Sequence, residues 1–549
     1  MKDFSKGVSR RQFMQLLAAA STSTMLPEGW AAHLGQANTG DDHWHQGELA
    51  HLIPLVSHEQ MLIKTSFQRP LKSVPHLRVG KRVVVGKMSD TLGRFWQFHV
   101  TSLEADHNYE LQLQEKNGHS LTDPWPLKTF PHPDANPEHL RILAYTCAGG
   151  NESLVMDDGT PYFLAMAARH RLLDRGLAFN PDVVIANGDH IYWDQRTIRN
   201  KPARFRDPWL KLYEEYGPLN PALPILGSSN ESILTRIVDA QIAYLYGVRF
   251  RSVPVYMLTD DHDMFENDEA NDDFITLPPD KHMLASARAT QYLYYPEFLP
   301  DSHRPATLAG SSSPDRAPGL SEVYGTLRYG KLLEALMYDT KRYNTIDGAS
   351  ATVFPLETEQ WLAERTMTED TAHLLHIPST PIGWSAGKWG EWYPDIRQSD
   401  GTLGKAKPKP HWPSGWWSQH QRILTMLQQQ KRRAPVIASG DLHALSYGQI
   451  TRSGALDFAD NPIHSFCVGP LGSAGPGFPT QFRGIGAQVP SDLDVRELLK
   501  PLENNGFTLI DVTPSKLVFK MFKWLPPAPV EQIDTLQPAY TYEVERPVS

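Results

Sequence analysis

The chain has 549 residues, longer than one ordinary domain, and 40% of them are hydrophobic, enough to bury more than one sizeable core. Its formal net charge of −9 argues against nucleic acid as the main partner. Cys147 and Cys467 are its only cysteines, which excludes a disulfide framework.

Taken in chain order, the first residues read as targeting rather than fold. "SRRQFMQLLAAA" sets Arg10 and Arg11 ahead of a modest apolar stretch, Leu16 to Leu26, and resembles a twin-arginine export signal. The expected signal peptide is 1–37, with cleavage near "GQA" (Gly35 to Ala37). That route implies a chain folded before export, with the twin-arginine machinery as a partner and a periplasmic or secreted destination. Neither this stretch nor any later one is long and apolar enough to predict a membrane span.

Residues 50–131 carry short alternating runs such as "MLIKTSF", "KRVVVGKM", "GRFWQFHVTSL" and "YELQLQEK", separated by turn residues. Period-2 alternation predicts half-buried strands, here a small antiparallel sandwich similar to fibronectin-III domains. A Pro-rich linker, "KTFPHPDANPEHL", follows. From residue 140 to 549 the texture changes. Apolar strand-like runs now end in polar loops and alternate with helical stretches such as "PYFLAMAARHRLLDRG" and "ESILTRIVDAQIAYLYG", which predicts an α/β layered domain. "GFTLIDVTPSKLVFKMF" reads as a hairpin closing a sheet.

The polar residues that end those strands are the chemistry-bearing ones. Cys147 ends "RILAYTC"; Asp189 and Tyr192 follow "PDVVIANG"; "DDHD", Asp260 to Asp263, follows "VPVYMLT"; Asp441 and His443 follow "APVIASG". Open α/β sheets hold ligands at such strand ends. A dinuclear metal site needs this mix, one carboxylate to bridge and separate sets to hold each ion. A thiolate and a phenolate suit a ferric ion, and oxygen-only ligands suit calcium, magnesium or manganese. Taken singly each residue has a plainer reading: a buried thiol, a packed aromatic, or a helix cap after Asp441.

In order and context these blocks resemble the PhoD-like alkaline phosphatases and phosphodiesterases, a branch of the calcineurin-like metallophosphoesterases. "ARATQYLYYPEFLP" (Ala287 to Pro300), "LMYDTKRYN" (Leu336 to Asn344), "LETEQWL" (Leu356 to Leu362) and "SGDLH" belong to the resemblance, which runs from about Leu140 to near the C-terminus. It implies two packed sheets flanked by helices, preceded by the β-sandwich. It also implies that Cys147, Asp189, Tyr192 and His443 hold Fe3+. Asp189 would bridge to a second ion, Ca2+ or another divalent cation such as Mn2+, Mg2+ or Zn2+, bound by Asp261 and Asp441. His262 would face the phosphate and assist the leaving group, Asp263 would orient His262, and Asn187 and Asp260 are possible extra contacts.

The implied activity is hydrolysis of phosphate mono- or diesters, with hydroxide generated on the ions as the attacking group. The substrate would be a small molecule, a lipid or a polymer; phospholipase-D-like and teichoic-acid-type diesterases are the alternatives within the family. A catalytically degenerate exported binding protein is the alternative outside it, and the complete ligand set argues against degeneracy. The chain departs from the family at Asp339 to Lys341, "DTK" where many relatives have "DTR", and in "SGWWSQHQRIL" (Ser414 to Leu424), which lacks an expected acidic residue and puts an additional calcium in doubt. Asp339 itself reads as structural. Trp193, Trp384, Trp389, Trp392, Trp416 and Trp417 either line a cleft or pack on one another.

Overall fold

The computed structural model describes residues 44–474 and 477–547. The expected signal peptide lies outside them. Among the described residues no helix is long and apolar enough to cross a membrane.

The alternating segments form two four-stranded sheets. Leu49–Val56, Met61–Phe67, Phe95–Val100 and Lys87–Met88 make one, all neighbours antiparallel. Arg82–Val85, His76–Val79, Asn108–Gln114 and Trp125–Lys128 make the other, also antiparallel. The run "KRVVVGKM", read as one strand, is split at Gly86 between the two sheets. A Cβ there would come within 2.9 Å of the Pro75 carbonyl oxygen, so the chain can change sheets only through a glycine. The first sheet also packs on the rest of the molecule. Leu52 donates its N–H to the Gly247 carbonyl at 2.9 Å, and the buried Lys64 ammonium lies 3.0 Å from Glu297 Oε2.

The remainder is built on two larger sheets flanked by helices. The six-stranded sheet runs Val255–Leu258, Val183–Asn187, Leu140–Tyr145, Asn505–Val512, Lys516–Trp524, Tyr540–Glu545. Its first three strands are parallel, and the predicted hairpin Asn505–Val512/Lys516–Trp524 closes it antiparallel. "VVIAN" of Val183–Asn187 is buried throughout, as a parallel strand covered on both faces must be. Each fully buried Val or Ile there contributes about 1.5–3 kcal/mol. In the eight-stranded sheet, Leu333–Tyr338, His373–Pro378, Val436–Ser439 and Ile463–Val468 are parallel neighbours.

Register brings the strand ends level. Ala186 pairs with Tyr145 and Asn187 with Leu258, so Cys147, Asp189 and the Asp260–Asp263 loop emerge together. The second sheet delivers Asp441 and His443 from the end of Val436–Ser439. The sheets meet where Thr146 Oγ1 donates to the Asn187 carbonyl at 2.6 Å and accepts from the Asp441 N–H at 3.3 Å. A Cβ on Gly440 would sit 2.2 Å from Thr146 Oγ1, so that approach requires glycine.

Candidate metal centre

Four of the residues singled out in the sequence are held in left-handed backbone conformations: Cys147 (φ 49°), Asp189 (φ 59°), Asp441 (φ 60°) and His443 (φ 50°). Each costs about 1–2 kcal/mol for an L-residue, and such strain gathers at functional sites. Here it turns four residues, at the ends of three strands, so that their side chains face one point.

At that point Cys147 Sγ lies 3.3 Å from Asp189 Oδ2. The Tyr192 hydroxyl donates to the same oxygen at 3.0 Å and is 3.1 Å from His443 Nε2. Burial, and then the Asp189 carboxylate, push the Cys147 thiol and the Tyr192 phenol well above their ordinary ranges. Burial and the nearby cations His262 and Lys388 hold His443 well below its own, so its imidazole is neutral, the form that ligates a metal. His443 Nδ1 meets Ser473 Oγ, which fixes the ring's orientation. Beside one carboxylate, the thiol and the phenol would be deprotonated together only by a bound cation, which the neutral imidazole is ready to ligate.

Three groups of ligand atoms lie within 4.8 Å of one another: Cys147, Asp189 and His443; Asp189, Asp261 and His262; Asp189, Asp260, Asp261 and Asp441. Asp189 belongs to all three. In the acidic group, Asp189 Oδ1, both oxygens of Asp260, Asp261 Oδ1 and Asp441 Oδ2 are buried without a hydrogen-bond partner. Buried carboxylate oxygens left unpaired are costly, and this many in one place fit an oxygen-ligated cation. Burial raises Asp260 well above its usual range; burial acts the same way on Asp261, but Lys388 and His262 outweigh it and hold that carboxyl well below.

His262 and Asp194, at 8% and 7%, are slightly more exposed than the candidate ligands beside them. The orienting carboxylate of His262 is Asp194, whose Oδ1 is 2.7 Å from His262 Nδ1. This corrects the expectation for Asp263. Its carboxylate instead accepts backbone N–H groups from Asp189, Asp260 and His190 at 2.9 Å and from Ile191 at 3.2 Å, and so locks the Asp189 and Asp260 loops together. Asn187 donates its side-chain amide to the Pro378 carbonyl at 3.1 Å and leaves its own Oδ1 unpartnered.

Several braces carry no sequence signal. Gln241, in the π-helical turn Asp239–Ala243, accepts from the N–H groups of Gly150 and Tyr192, both at 2.7 Å. The buried Arg169 guanidinium donates to the carbonyls of Ala148, Gly149 and Gly150. Asp339 accepts the N–H groups of Lys341 at 2.6 Å and Arg342 at 2.8 Å, as a loop brace does. Trp193, Trp384, Trp389, Trp392 and Trp416 are buried and Trp417 is half-buried; Trp389 and Trp416 meet edge to face with ring centres 5.2 Å apart. These tryptophans form packed interior rather than an open cleft.

No family model matches the sequence, and no curated protein matches it. Solved structures do match the fold. A structure of PhoD superposes with a TM-score of 0.57 at 15% identity, over 91% of this chain and 91% of that one. The fold is that of PhoD. A purple acid phosphatase, PPD1 from yellow lupin (Lupinus luteus) seeds, superposes with a TM-score of 0.50 at 11% identity, over 90% of this chain and 74% of that one. The PhoD-like fold therefore spans both the N-terminal sheets and the layered part, which agrees with the architecture expected from the sequence.

Proposed function

We propose that this chain is a metal-dependent phosphoric ester hydrolase, a PhoD-like phosphoesterase with a two-ion centre. The observation that carries the reading is Asp189. It is shared between a thiol–phenol–imidazole set and an all-carboxylate set, at the strand ends of a fold held in common with PhoD and a purple acid phosphatase. Cys147, Asp189, Tyr192 and His443 would hold a ferric ion. Asp189, Asp261 and Asp441, with Asp260 beside them, would hold calcium or another divalent cation; Asn187 Oδ1 is a further candidate donor. Bound there, the ions would supply positive charge for the phosphoryl oxygens and a nucleophile at neutral pH.

The chain's own residues supply the rest. The strand-end loops, fixed by Asp263, Gln241 and Arg169, set the ligands before substrate arrives. His262 stands at the accessible edge and protonates the departing alkoxide. Burial works against its positive form, but in the metal-free chain Asp194, Asp261 and Asp189 outweigh that and hold His262 well above the ordinary histidine range. Asp194 fixes the orientation of the ring through Nδ1.

Elemental analysis of purified protein is expected to give iron plus a divalent cation, with a visible phenolate-to-iron band that Tyr192→Phe abolishes. Zinc alone, no metal, or a band that survives in Tyr192→Phe overturns the ferric assignment. The export reading rests on Arg10 and Arg11. Replacing both by lysine is expected to leave the precursor inside the cell, and normal export of that variant rejects the twin-arginine route.

A further inference from the structure

Lys388 was not singled out by any motif, yet its ammonium stands inside the acidic cluster. Nζ lies 2.6 Å from Asp441 Oδ1, 2.9 Å from Asp261 Oδ2 and 3.1 Å from Asp268 Oδ1. The contact to Asp441 is a hydrogen bond, and those to Asp261 and Asp268 are ion pairs. Asp441 and Asp261 each give Lys388 one oxygen; Asp441 Oδ2 and Asp261 Oδ1 are left buried and unpartnered. Each of these two carboxylates is thus divided, one oxygen to the lysine and one free for an ion shared with Asp189 and Asp260.

The placement is built rather than incidental. Asp268 is fixed by donating its N–H to Asp261 Oδ2 at 2.9 Å, and its Oδ2 pairs with the buried Lys341 ammonium. Lys341 donates in turn to the Gly390 carbonyl at 3.1 Å. A Cβ on Gly390 would lie 2.0 Å from Asp268 Oδ2, so the loop that carries Lys388 can come this close only through a glycine. The buried Lys409 ammonium holds the Lys388 carbonyl at 2.7 Å, and Arg483 holds the neighbouring Gly387 carbonyl at 2.8 Å.

We propose that Lys388 is a built-in cation of the centre: its ammonium fills an outer cation position made by Asp261, Asp268 and Asp441, bars a metal ion from it, and holds Asp261 and Asp441 with their other oxygens turned to the ion they share with Asp189. Lys388 is a positioning residue, acting on substrate only through those carboxylates. The inference rests on the reading of the acidic cluster as a cation site.

Three carboxylate oxygens around a point that has lost its ammonium make a ready calcium site, provided there is room for water to complete the coordination. Lys388→Ala provides that room. Native protein, Lys388→Ala and Lys388→Arg are equilibrated with calcium at about 1 mM, a range in which extracellular sites load, and bound calcium is counted by equilibrium dialysis alongside iron. Lys388→Ala is expected to bind one more calcium per chain than native protein, and its melting temperature should rise with calcium far more steeply. Lys388→Arg keeps the charge and should keep the native count. Equal counts in native and Lys388→Ala protein, or a gained ion in Lys388→Arg, overturn the proposal. A Lys388→Ala chain that folds only when calcium is added supports it, since calcium then replaces the ammonium; one that misfolds at every calcium concentration overturns it. Native protein that binds no divalent ion at all is a different failure, that of the two-ion reading itself.

Discussion

Asp189→Asn is expected to bind neither ion tightly and to hydrolyse good and poor esters alike at less than about a thousandth of the native rate, a loss of over ~4 kcal/mol of transition-state stabilisation. Asparagine is the informative substitution because Asp189 sits at φ 59°, a conformation asparagine tolerates better than alanine does. The variant removes charge without adding backbone strain. Its second expected property concerns the metal-free chain. Burial raises the Asp189 carboxyl from 3.8 to about 7, against the opposing pull of His262, and burial raises Asp263 and Asp268 to about 7 as well. A carboxyl raised on folding keeps a proton that the unfolded chain has already lost. Between about pH 4 and pH 7 the unfolded state therefore binds fewer protons at these three carboxyls, and what they contribute to metal-free stability falls as pH rises through that window. Ions take the place of those protons, so metal affinity rises over the same range. After chelation, Asp189→Asn should melt at a higher temperature than native protein at pH 8 and at nearly the same temperature near pH 4. Native metal content in the variant, or a metal-free variant less stable than native at pH 8, rejects Asp189 as the bridging ligand.

The strand ends were legible because each parallel strand is a short apolar run with an abrupt polar stop, as in "RILAYTC" and "PDVVIANGD". A strand buried on both faces has no other place for an unpaired carboxylate such as Asp189 than its end. The partner of His262 was not legible in the same way. Asp263 is its neighbour in sequence, but the tight turn His262–Met264 sends successive side chains to different sides, and Asp263 goes down to the backbone of the Asp189 loop. Asp194 reaches His262 from 68 residues away, and only the folded loop brings it there. Lys388 lies in a tryptophan-rich loop without periodicity, where nothing in the chain marks a cation aimed at three carboxylates. The break of "KRVVVGKM" at Gly86 was hidden for a related reason: alternation tells which residues face inward, and it is silent on which of two sheets a strand joins.

His262→Ala should keep its metals and lose about 10²–10⁴-fold in turnover on alkyl phosphates, the range a general acid supplies. For an aryl phosphate with an acidic phenol the loss should be much smaller, since that leaving group departs without a proton. The opposing reading is that His262 is a ligand, because it also lies within reach of Asp189 and Asp261. The two readings separate cleanly. A ligand's removal empties a site and slows every ester alike; an acid's removal leaves the metal count unchanged and slows esters according to leaving group. Asp194→Asn extends the test to the proton itself. Bound cations would neutralise Asp189 and Asp261, leaving Asp194, 2.7 Å from Nδ1, as the carboxylate that still favours the imidazolium. Without its charge His262 gives up its proton sooner, so the basic limb of the kcat/KM profile should move to lower pH while metal content stays native. A basic limb that does not move in Asp194→Asn, or metal released by His262→Ala, would show that the proton comes from elsewhere.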